Sequence, residues 1–263
     1  MSESPRLLLL HGFLSTSANW GPLRAALGSA AACVALDLPG YGSAPPPAGE
    51  YTLDAVIGAM RPVIERERPD YILGHSMGAI VALALACAMP GAFKRVGVVG
   101  FPLFRDIEDG RAMVRRNRGR VISTFLEHPR AAHVACLVLD RTQPLWLPAA
   151  RRIRPGEPDV VLSPKFHHCR AGHIGGQAEI VFYGKVEQLA REVPVPVVAL
   201  HGDRDRTASL QRARAIAGAN GWDFQVVPGA NHELVIELPE VAARWVRERL
   251  FAPIAGSAGT VAG

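Results

Sequence analysis

The chain alternates short, continuous apolar runs with longer segments of helical pattern, and no other feature limits its fold as strongly. A run such as Arg6–His11 (RLLLLH) is typical of a strand buried on both faces of a sheet. Strands that alternate with helices indicate a parallel sheet covered by helices on both faces. The sequence therefore predicts an α/β fold with a mostly parallel sheet of about six strands. The predicted strands are Arg6–His11, Ala32–Asp37, Tyr71–Gly74, Arg95–Val99, Val195–Leu200 and Phe224–Val227.

The alternation fails between Phe101 and Gly176. This segment is rich in Arg, Pro and His, and its helical patterns are not separated by strand-like runs. It is too long for a loop inside a compact domain. We therefore predict a helical lid at residues 101–176, which lies over the carboxyl ends of the strands, and a core made of residues 1–100 and 177–250. Residues 251–263 are rich in Gly and Ala and are predicted to be a disordered tail.

Charge is concentrated in the predicted lid. Residues 101–176 hold 13 Lys or Arg against 7 Asp or Glu, whereas the rest of the chain holds 16 against 17. The basic segment lacks a recognisable nucleic-acid-binding module, so nucleic acid is not expected as a partner. The longest apolar stretch, Ala79–Met89, is too short to span a bilayer, and the first residues lack the pattern of a signal peptide. We expect a cytoplasmic protein without membrane contact, and the sequence does not indicate its oligomeric state.

Residues 74–78 read Gly-His-Ser-Met-Gly, which matches the pattern G-x-S-x-G between a predicted strand and a predicted helix. The turn required there is so sharp that side chains at Gly74 and Gly78 would collide with neighbouring backbone. The strained turn lifts the hydroxyl of Ser76 clear of the sheet. The helix that follows directs its free N–H groups and its positive dipole end toward the same point. Ser76 is therefore the candidate nucleophile, and the strand-turn-helix context disfavours a chance Gly-Ser-Gly loop.

A serine nucleophile needs a base that titrates near neutrality, and histidine is the side chain that does so. His232 follows the last predicted strand and precedes the last predicted helix, so we expect it at the carboxyl end of the sheet as that base. An acid must orient the histidine and stabilise its cationic form. Asp203 and Asp205 both follow the strand that ends at Leu200, and spacing does not separate them.

Two further segments carry a resemblance to a known family. Leu10-His11-Gly12-Phe13 is similar to the H-G-x oxyanion loop of the α/β-hydrolase superfamily, and residues 37–43 (DLPGYGS) are similar to its D-x-P-G-x-G-x-S segment. The order Ser, Asp, His along the chain also matches. Over residues 6–100 and 190–250 the chain resembles the small lidded members, which include carboxylesterases, C–C bond hydrolases, lactonases and menaquinone-pathway lyases.

This resemblance implies the α/β-hydrolase fold and further roles for named residues. The family acid usually ends the pattern G-x-x-D, here residues 202–205, which favours Asp205. The oxyanion hole is implied to consist of the backbone N–H groups of Phe13 and Met77, which would hold the negative oxygen of a tetrahedral intermediate. No cofactor and no metal are expected.

The clustered arginines of the predicted lid suggest a substrate with an anionic group, because arginine binds carboxylate and phosphate in a bidentate manner. Arg115 and Arg118 are three residues apart and would share a helix face toward the cleft. Trp146 is a candidate for the apolar wall or roof of the pocket. The alternative is a solvated basic surface, which charge runs usually form. We favour this alternative.

Five histidines also lie in the predicted lid. Their spacing matches no standard metal site, and no cluster of Cys or acidic residues supports one. We therefore interpret them as lid or pocket-rim residues rather than as ligands. They are His128, His133, His167, His168 and His173.

Together these features predict a serine hydrolase that cleaves a small carboxylic ester, thioester or lactone through an acyl-enzyme. A C–C bond hydrolase or lyase would use the same three residues on an acidic pathway intermediate and is the first alternative. A non-catalytic ligand-binding protein on the same fold is the second, and the complete set of Ser76, Asp205 and His232 disfavours it. The small-molecule substrate itself is not identified by the sequence.

Overall fold

A sheet of six parallel strands forms the centre of the protein, in the order β2-β1-β3-β4-β5-β6. The computed structural model describes residues 4–118, 128–153, 167–182 and 185–253. The four inner strands are buried almost throughout, which agrees with their continuous apolar sequences. The predicted α/β fold with its parallel sheet is thus confirmed. The strands are β1 (Arg6–Leu10), β2 (Ala32–Leu36), β3 (Tyr71–His75), β4 (Arg95–Val99), β5 (Val197–Gly202) and β6 (Asp223–Val227).

Helices cover both faces of this sheet. Among the helices in the described ranges, α7 and α11 each continue into a π-helical turn, at Gly176–Val181 and Val246–Leu250. None of the helices in these ranges is long and apolar enough to cross a membrane. The helices are α1 (Gly21–Leu27), α2 (Leu53–Glu67), α3 (Met77–Ala88), α4 (Ile107–Arg118), α5 (Pro129–Arg141), α6 (Gln143–Ile153), α7 (Arg170–Gly175), α8 (Val186–Glu192), α9 (Leu210–Ala219), α10 (Leu234–Glu237) and α11 (Pro239–Trp245).

Two hydrophobic clusters lie on opposite faces of the sheet. Leu8 and Leu10 of β1 belong to the cluster that contains α2 and α3, whereas Leu7 and Leu9 belong to the cluster that contains α1 and α11. Successive side chains of a strand point to opposite faces. A strand between two helix layers therefore needs apolar residues at every position, which is why these runs are continuous rather than alternating.

The described part of the segment between β4 and β5 is helical. Its first helix, α4, is attached to the core by Asp109, which pairs with Arg212 of α9. Its later part contacts the loop after β2, where the Tyr41 hydroxyl donates a hydrogen bond to the Gly172 carbonyl at 2.6 Å. Helical structure runs unbroken through the predicted boundary between residues 176 and 177. The division into core and lid stays a prediction, and the tail predicted beyond residue 253 lies outside the described residues.

Candidate active site

Ser76 lies in the turn between β3 and α3, with a backbone φ of 52° and ψ of −120°. Residues other than glycine rarely adopt this backbone conformation, so the surrounding structure must hold it in place. A Cβ atom at Gly74 would lie 2.2 Å from the Gly78 carbonyl oxygen, and one at Gly78 would lie 2.2 Å from that of Leu10. Both neighbours are backbone atoms that cannot move aside. Glycine at these two positions is therefore what allows the sharp turn.

The ring of His232 bridges Ser76 and Asp205. Its Nε2 lies 3.0 Å from the Ser76 Oγ, and its Nδ1 lies 2.7 Å from the Asp205 Oδ2. A proton on Nδ1 is donated to the carboxylate, which leaves Nε2 free to accept the serine hydroxyl proton. The three residues follow β3, β5 and β6, whose carboxyl ends meet at one edge of the sheet. Residues far apart in the chain thus form one continuous hydrogen-bonded chain.

The structure distinguishes Asp205 from Asp203 as the partner of His232, a choice that spacing along the chain left open. The Asp205 side chain is buried, and its second oxygen accepts the backbone N–H groups of Thr207 at 2.7 Å and Ala208 at 2.8 Å. Asp203 is exposed and accepts the Gly229 N–H instead. Burial raises the pKa of Asp205, but the charge and hydrogen bond of His232 and the Ala208 N–H outweigh burial and lower it. Asp205 is therefore ionised at neutral pH.

The loop after β1 lies directly against Ser76. A Cβ atom at Gly12 would be 3.1 Å from the Ser76 Cβ. The loop is fixed by His11, whose Nε2 accepts the Leu38 N–H at 2.9 Å while its Nδ1 lies 2.8 Å from the Gly12 carbonyl oxygen. Burial lowers the pKa of His11 to about 4, so the ring is neutral and donates from Nδ1. The predicted oxyanion residue Phe13 follows this fixed carbonyl.

Met77, the second predicted oxyanion residue, is the first residue of α3. Its N–H is one of the donors that the start of a helix leaves without an intrahelical acceptor. The helix dipole places partial positive charge at the same end. The donor therefore lies next to the serine, and its role in an oxyanion hole stays a prediction.

A sequence profile of the alpha/beta hydrolase family matches residues 7–245 of the chain. The chain belongs to this family. A pimeloyl-[acyl-carrier protein] methyl ester esterase from Methylococcus capsulatus is 29% identical over 248 residues, which cover 94% of each chain. An uncharacterized protein from Mycobacterium bovis is 34% identical over 243 residues, or 88% of this chain and 70% of its own. A solved hydrolase from Pseudomonas aeruginosa superposes with a TM-score of 0.71 at 20% identity, over 96% and 92% of the two chains.

Two further residues of the hydrolase lie close to His232, and the sequence analysis assigned neither of them to the site. Gly100 follows β4 with a φ of 56°, and a Cβ atom there would lie 3.2 Å from the His232 Nδ1. A lone glycine directly after a predicted strand was the available signal. His75 precedes the candidate nucleophile at the end of β3. It is buried, and its Nε2 lies 2.8 Å from the His232 carbonyl oxygen.

Two of the three predicted substrate-binding residues of the hydrolase lie on α4, and the third lies on α6. Arg115 of α4 is exposed. The side chain of Arg118, at the end of the same helix, lies outside the described residues. Trp146 of α6 is half-buried and donates from its indole nitrogen to the Leu139 carbonyl at 2.8 Å. Their roles in binding stay predictions.

Three of the five histidines of the predicted lid come together in the hydrolase, although their spacing along the chain matches no standard metal site. They are His133 on α5, His168 just before α7 and His173 within α7, and all three are buried. They are separated by up to 40 positions along the chain, so only the docking of α7 onto α5 brings them into contact. Within the described residues, these are the side chains grouped closely enough to hold a metal ion.

Proposed function

We propose that the hydrolase cleaves carboxylic esters, with thioesters and lactones as related substrates, through an acyl-enzyme on Ser76. The observation that carries this proposal is the hydrogen-bonded chain from the Ser76 hydroxyl through His232 to the Asp205 carboxylate. A serine hydroxyl alone is a poor nucleophile at neutral pH, and this arrangement supplies the base and its orienting acid.

In the proposed reaction the substrate carbonyl oxygen points to the N–H groups of Phe13 and Met77. Ser76 attacks the carbonyl carbon while His232 takes the hydroxyl proton at Nε2, and Asp205 stabilises the resulting imidazolium. His232 then gives that proton to the departing alcohol or thiol. Water attacks the acyl-enzyme, gives one proton to His232 and releases the acid, and that proton returns to Ser76. No other reactant is needed.

The proposed substrate class is supported by the name of one relative. The relative from Methylococcus capsulatus is named as a methyl ester esterase, which supports an ester as the cleaved group. The excess of basic residues at 101–176 is compatible with a substrate that carries a further anionic group, although a solvated basic surface stays the favoured interpretation of that charge. The cytoplasmic location inferred from the sequence stays a prediction and belongs to the same proposal.

Replacing the nucleophile tests the proposal. Ser76→Ala is expected to lower kcat for p-nitrophenyl acetate by roughly 10³-fold or more, because no atom remains to form the acyl-enzyme. The same variant is expected to lose covalent labelling by a fluorophosphonate. Ser29→Ala, in the turn after α1, serves as the matched control and is expected to keep both properties. Full activity in Ser76→Ala would contradict the assignment.

A substrate panel separates the proposed esterase from its alternatives. Turnover of esters, thioesters or lactones is expected, and turnover confined to a vinylogous diketone would instead indicate a C–C bond hydrolase. A chain that binds these compounds without converting any of them, with unlabelled Ser76, would be a binding protein on this fold.

A further inference from the structure

Three buried imidazole rings form a contact chain in the segment between β4 and β5. The Nδ1 atoms of His133 and His168 are 3.3 Å apart, and the Nε2 of His168 lies 3.4 Å from the Nδ1 of His173. One nitrogen can be chosen from each ring so that all three lie within 4.8 Å of one another. Burying three polar rings without a strong common partner is costly, because neutral imidazole pairs exchange only weak hydrogen bonds for their lost hydration.

The spacing of these nitrogens approaches that of a metal site. Zinc binds histidine nitrogens at about 2.0–2.1 Å in tetrahedral geometry, which places ligand nitrogens about 3.3 Å apart. The two short contacts use both nitrogens of His168, whereas an ion takes one nitrogen from each ring. Closing from 4.8 Å requires shifts of up to about 1.5 Å, which side-chain rotation can provide.

The local environment also suits neutral imidazole ligands. Burial lowers the pKa of His168 to about 4 and that of His173 to about 3, and it also lowers the pKa of His133. Each ring therefore keeps one unprotonated nitrogen at neutral pH, as a metal ligand requires. The charge of Arg170 acts on His133 and opposes a bound cation, whereas that of Asp140 acts on His168 and favours one.

We propose that His133, His168 and His173 form a binding site for one divalent transition-metal ion, with zinc as the ion that fits best. Imidazole suits zinc, and tetrahedral coordination by three histidines leaves the fourth position to a water molecule. None of the three histidines belongs to the set of Ser76, Asp205 and His232, and the proposal does not depend on the ester hydrolysis proposed above.

The ion would join two helices that are distant in sequence and attach them to the oxyanion loop. His133 belongs to α5 and His173 to α7. The ring of His173 packs edge-on against Phe13, with centroids 5.5 Å apart, and the ring of His168 packs against Tyr41 at 6.3 Å. Metal binding is therefore expected to stabilise the packing of α5 and α7 over the loop that carries Phe13.

Titration of the chelator-treated full chain with ZnCl₂ tests the proposal by calorimetry and by thermal unfolding. We expect one ion per chain and a rise in Tm, since a ligand that binds only the folded state stabilises it by mass action. CoCl₂ is expected to give the strong visible absorption of tetrahedral cobalt. The variants His133→Asn, His168→Asn and His173→Asn are each expected to bind zinc at least about tenfold more weakly, the lower limit for loss of a group that supports a metal site.

Two matched histidine variants show whether the ion binds here. His167→Ala removes the exposed neighbour of His168, and His232→Ala removes the ring beside Ser76; both are expected to bind zinc as the parent chain does. Circular dichroism identifies any variant that fails to fold. The zinc affinities of the remaining variants among His133→Asn, His168→Asn and His173→Asn then test the proposal. Absence of zinc binding by the parent chain, or loss only in His167→Ala or His232→Ala, would overturn the proposal. Ser76→Ala is expected to bind zinc fully, so failure of this proposal and failure of the esterase proposal give different results.

Discussion

The close contact of the chain just after β4 with His232 and Asp205 depends on Gly100, a residue without a side chain. Gly100 has no Cβ, and one placed there would lie 3.2 Å from the His232 Nδ1 and 3.4 Å from the Asp205 Oδ2. These two atoms form the 2.7 Å hydrogen bond that orients the ring. A side chain at residue 100 would therefore press on the bond itself. Its positive φ of 56° adds a second reason for glycine.

Substitution of the two aspartates tests whether Asp205 orients His232. Asp205→Asn keeps the shape of the side chain, but its amide would leave His232 in the wrong tautomer to accept the Ser76 proton. We expect kcat for p-nitrophenyl acetate to fall by roughly 10⁴-fold with a small change in Tm. Asp203→Asn is the matched control and is expected to keep full activity. Equal losses in the two variants would show that Asp205 does not orient the base.

The sequence could predict some site residues and not others for a physical reason. Ser76 and His232 were predictable because a strained turn and a strand end are local features. The choice between Asp203 and Asp205 needed either a family resemblance or coordinates, since both follow the same strand and only burial and direction separate them. The three-histidine cluster was not predictable, because contact between α5 and α7 is set by tertiary packing.

Among the elements, α4 is held to the core by a polar contact rather than by apolar burial alone. Arg212 of α9 pairs with Asp109 through both carboxylate oxygens and also donates to the Leu103 carbonyl at 2.9 Å. The hydrogen bond from Arg212 lowers the pKa of Asp109 well below its usual value, against the effect of burial. This pair therefore fixes the start of the segment that follows β4.

The Asp109–Arg212 pair is expected to contribute stability that depends on pH. Because the folded pKa is depressed, its contribution is complete above about pH 4 and is lost as the pH falls toward the folded pKa. Asp109→Asn is expected to lower the free energy of unfolding by about 1 kcal/mol at pH 7, given the partial exposure of Arg212. Urea unfolding at several pH values measures the difference, which should shrink below about pH 4.

Arg105→Ala is the matched control for this pair, because its exposed guanidinium touches the same carboxylate at 3.4 Å. It is expected to change stability little at any pH. A difference between Asp109→Asn and the parent chain that grows as the pH falls would contradict the proposed origin of the effect.

Element boundaries deviated from the sequence patterns where proline occurs. The last helical segment is divided into α10 and α11 at Leu238, because Pro239 starts a new helix and cannot continue the old one. Strand β5 begins at Val197 rather than at Val195, after Pro196, which lacks the N–H that a sheet ladder requires. Apolar pattern thus predicted β5, and the proline before it set where the strand begins.

At the scale of the whole molecule, the buried guanidinium of Arg95 joins the middle of the sheet to the last described residues through hydrogen bonds. Arg95 opens β4 and is almost fully buried. Its guanidinium donates to the carbonyl oxygens of Arg249, Leu250 and Ala252 at 2.8–2.9 Å. These acceptors lie at the end of the π-helical turn after α11, where a helix leaves carbonyl groups without intrahelical partners.

Removal of this charge is expected to destabilise the fold as a unit. Arg95→Met leaves three carbonyl groups without their donor and should lower the free energy of unfolding by about 2–3 kcal/mol in urea denaturation. Arg249→Met, which removes an exposed ion pair with Asp223, is the control and should cost less than about 1 kcal/mol. Equal effects would show that the buried contacts of Arg95 add nothing beyond surface charge.

The segment between β4 and β5 separates the parts of the active site in the order of synthesis. Ser76 and the loop at Gly12 are made before that segment, whereas Asp205 and His232 are made after it. A nascent chain that has just completed its first four strands holds a serine with no base beside it. Esterase activity would therefore arise only once the last strand and the loop behind it have emerged from the ribosome, which makes turnover a readout of finished folding.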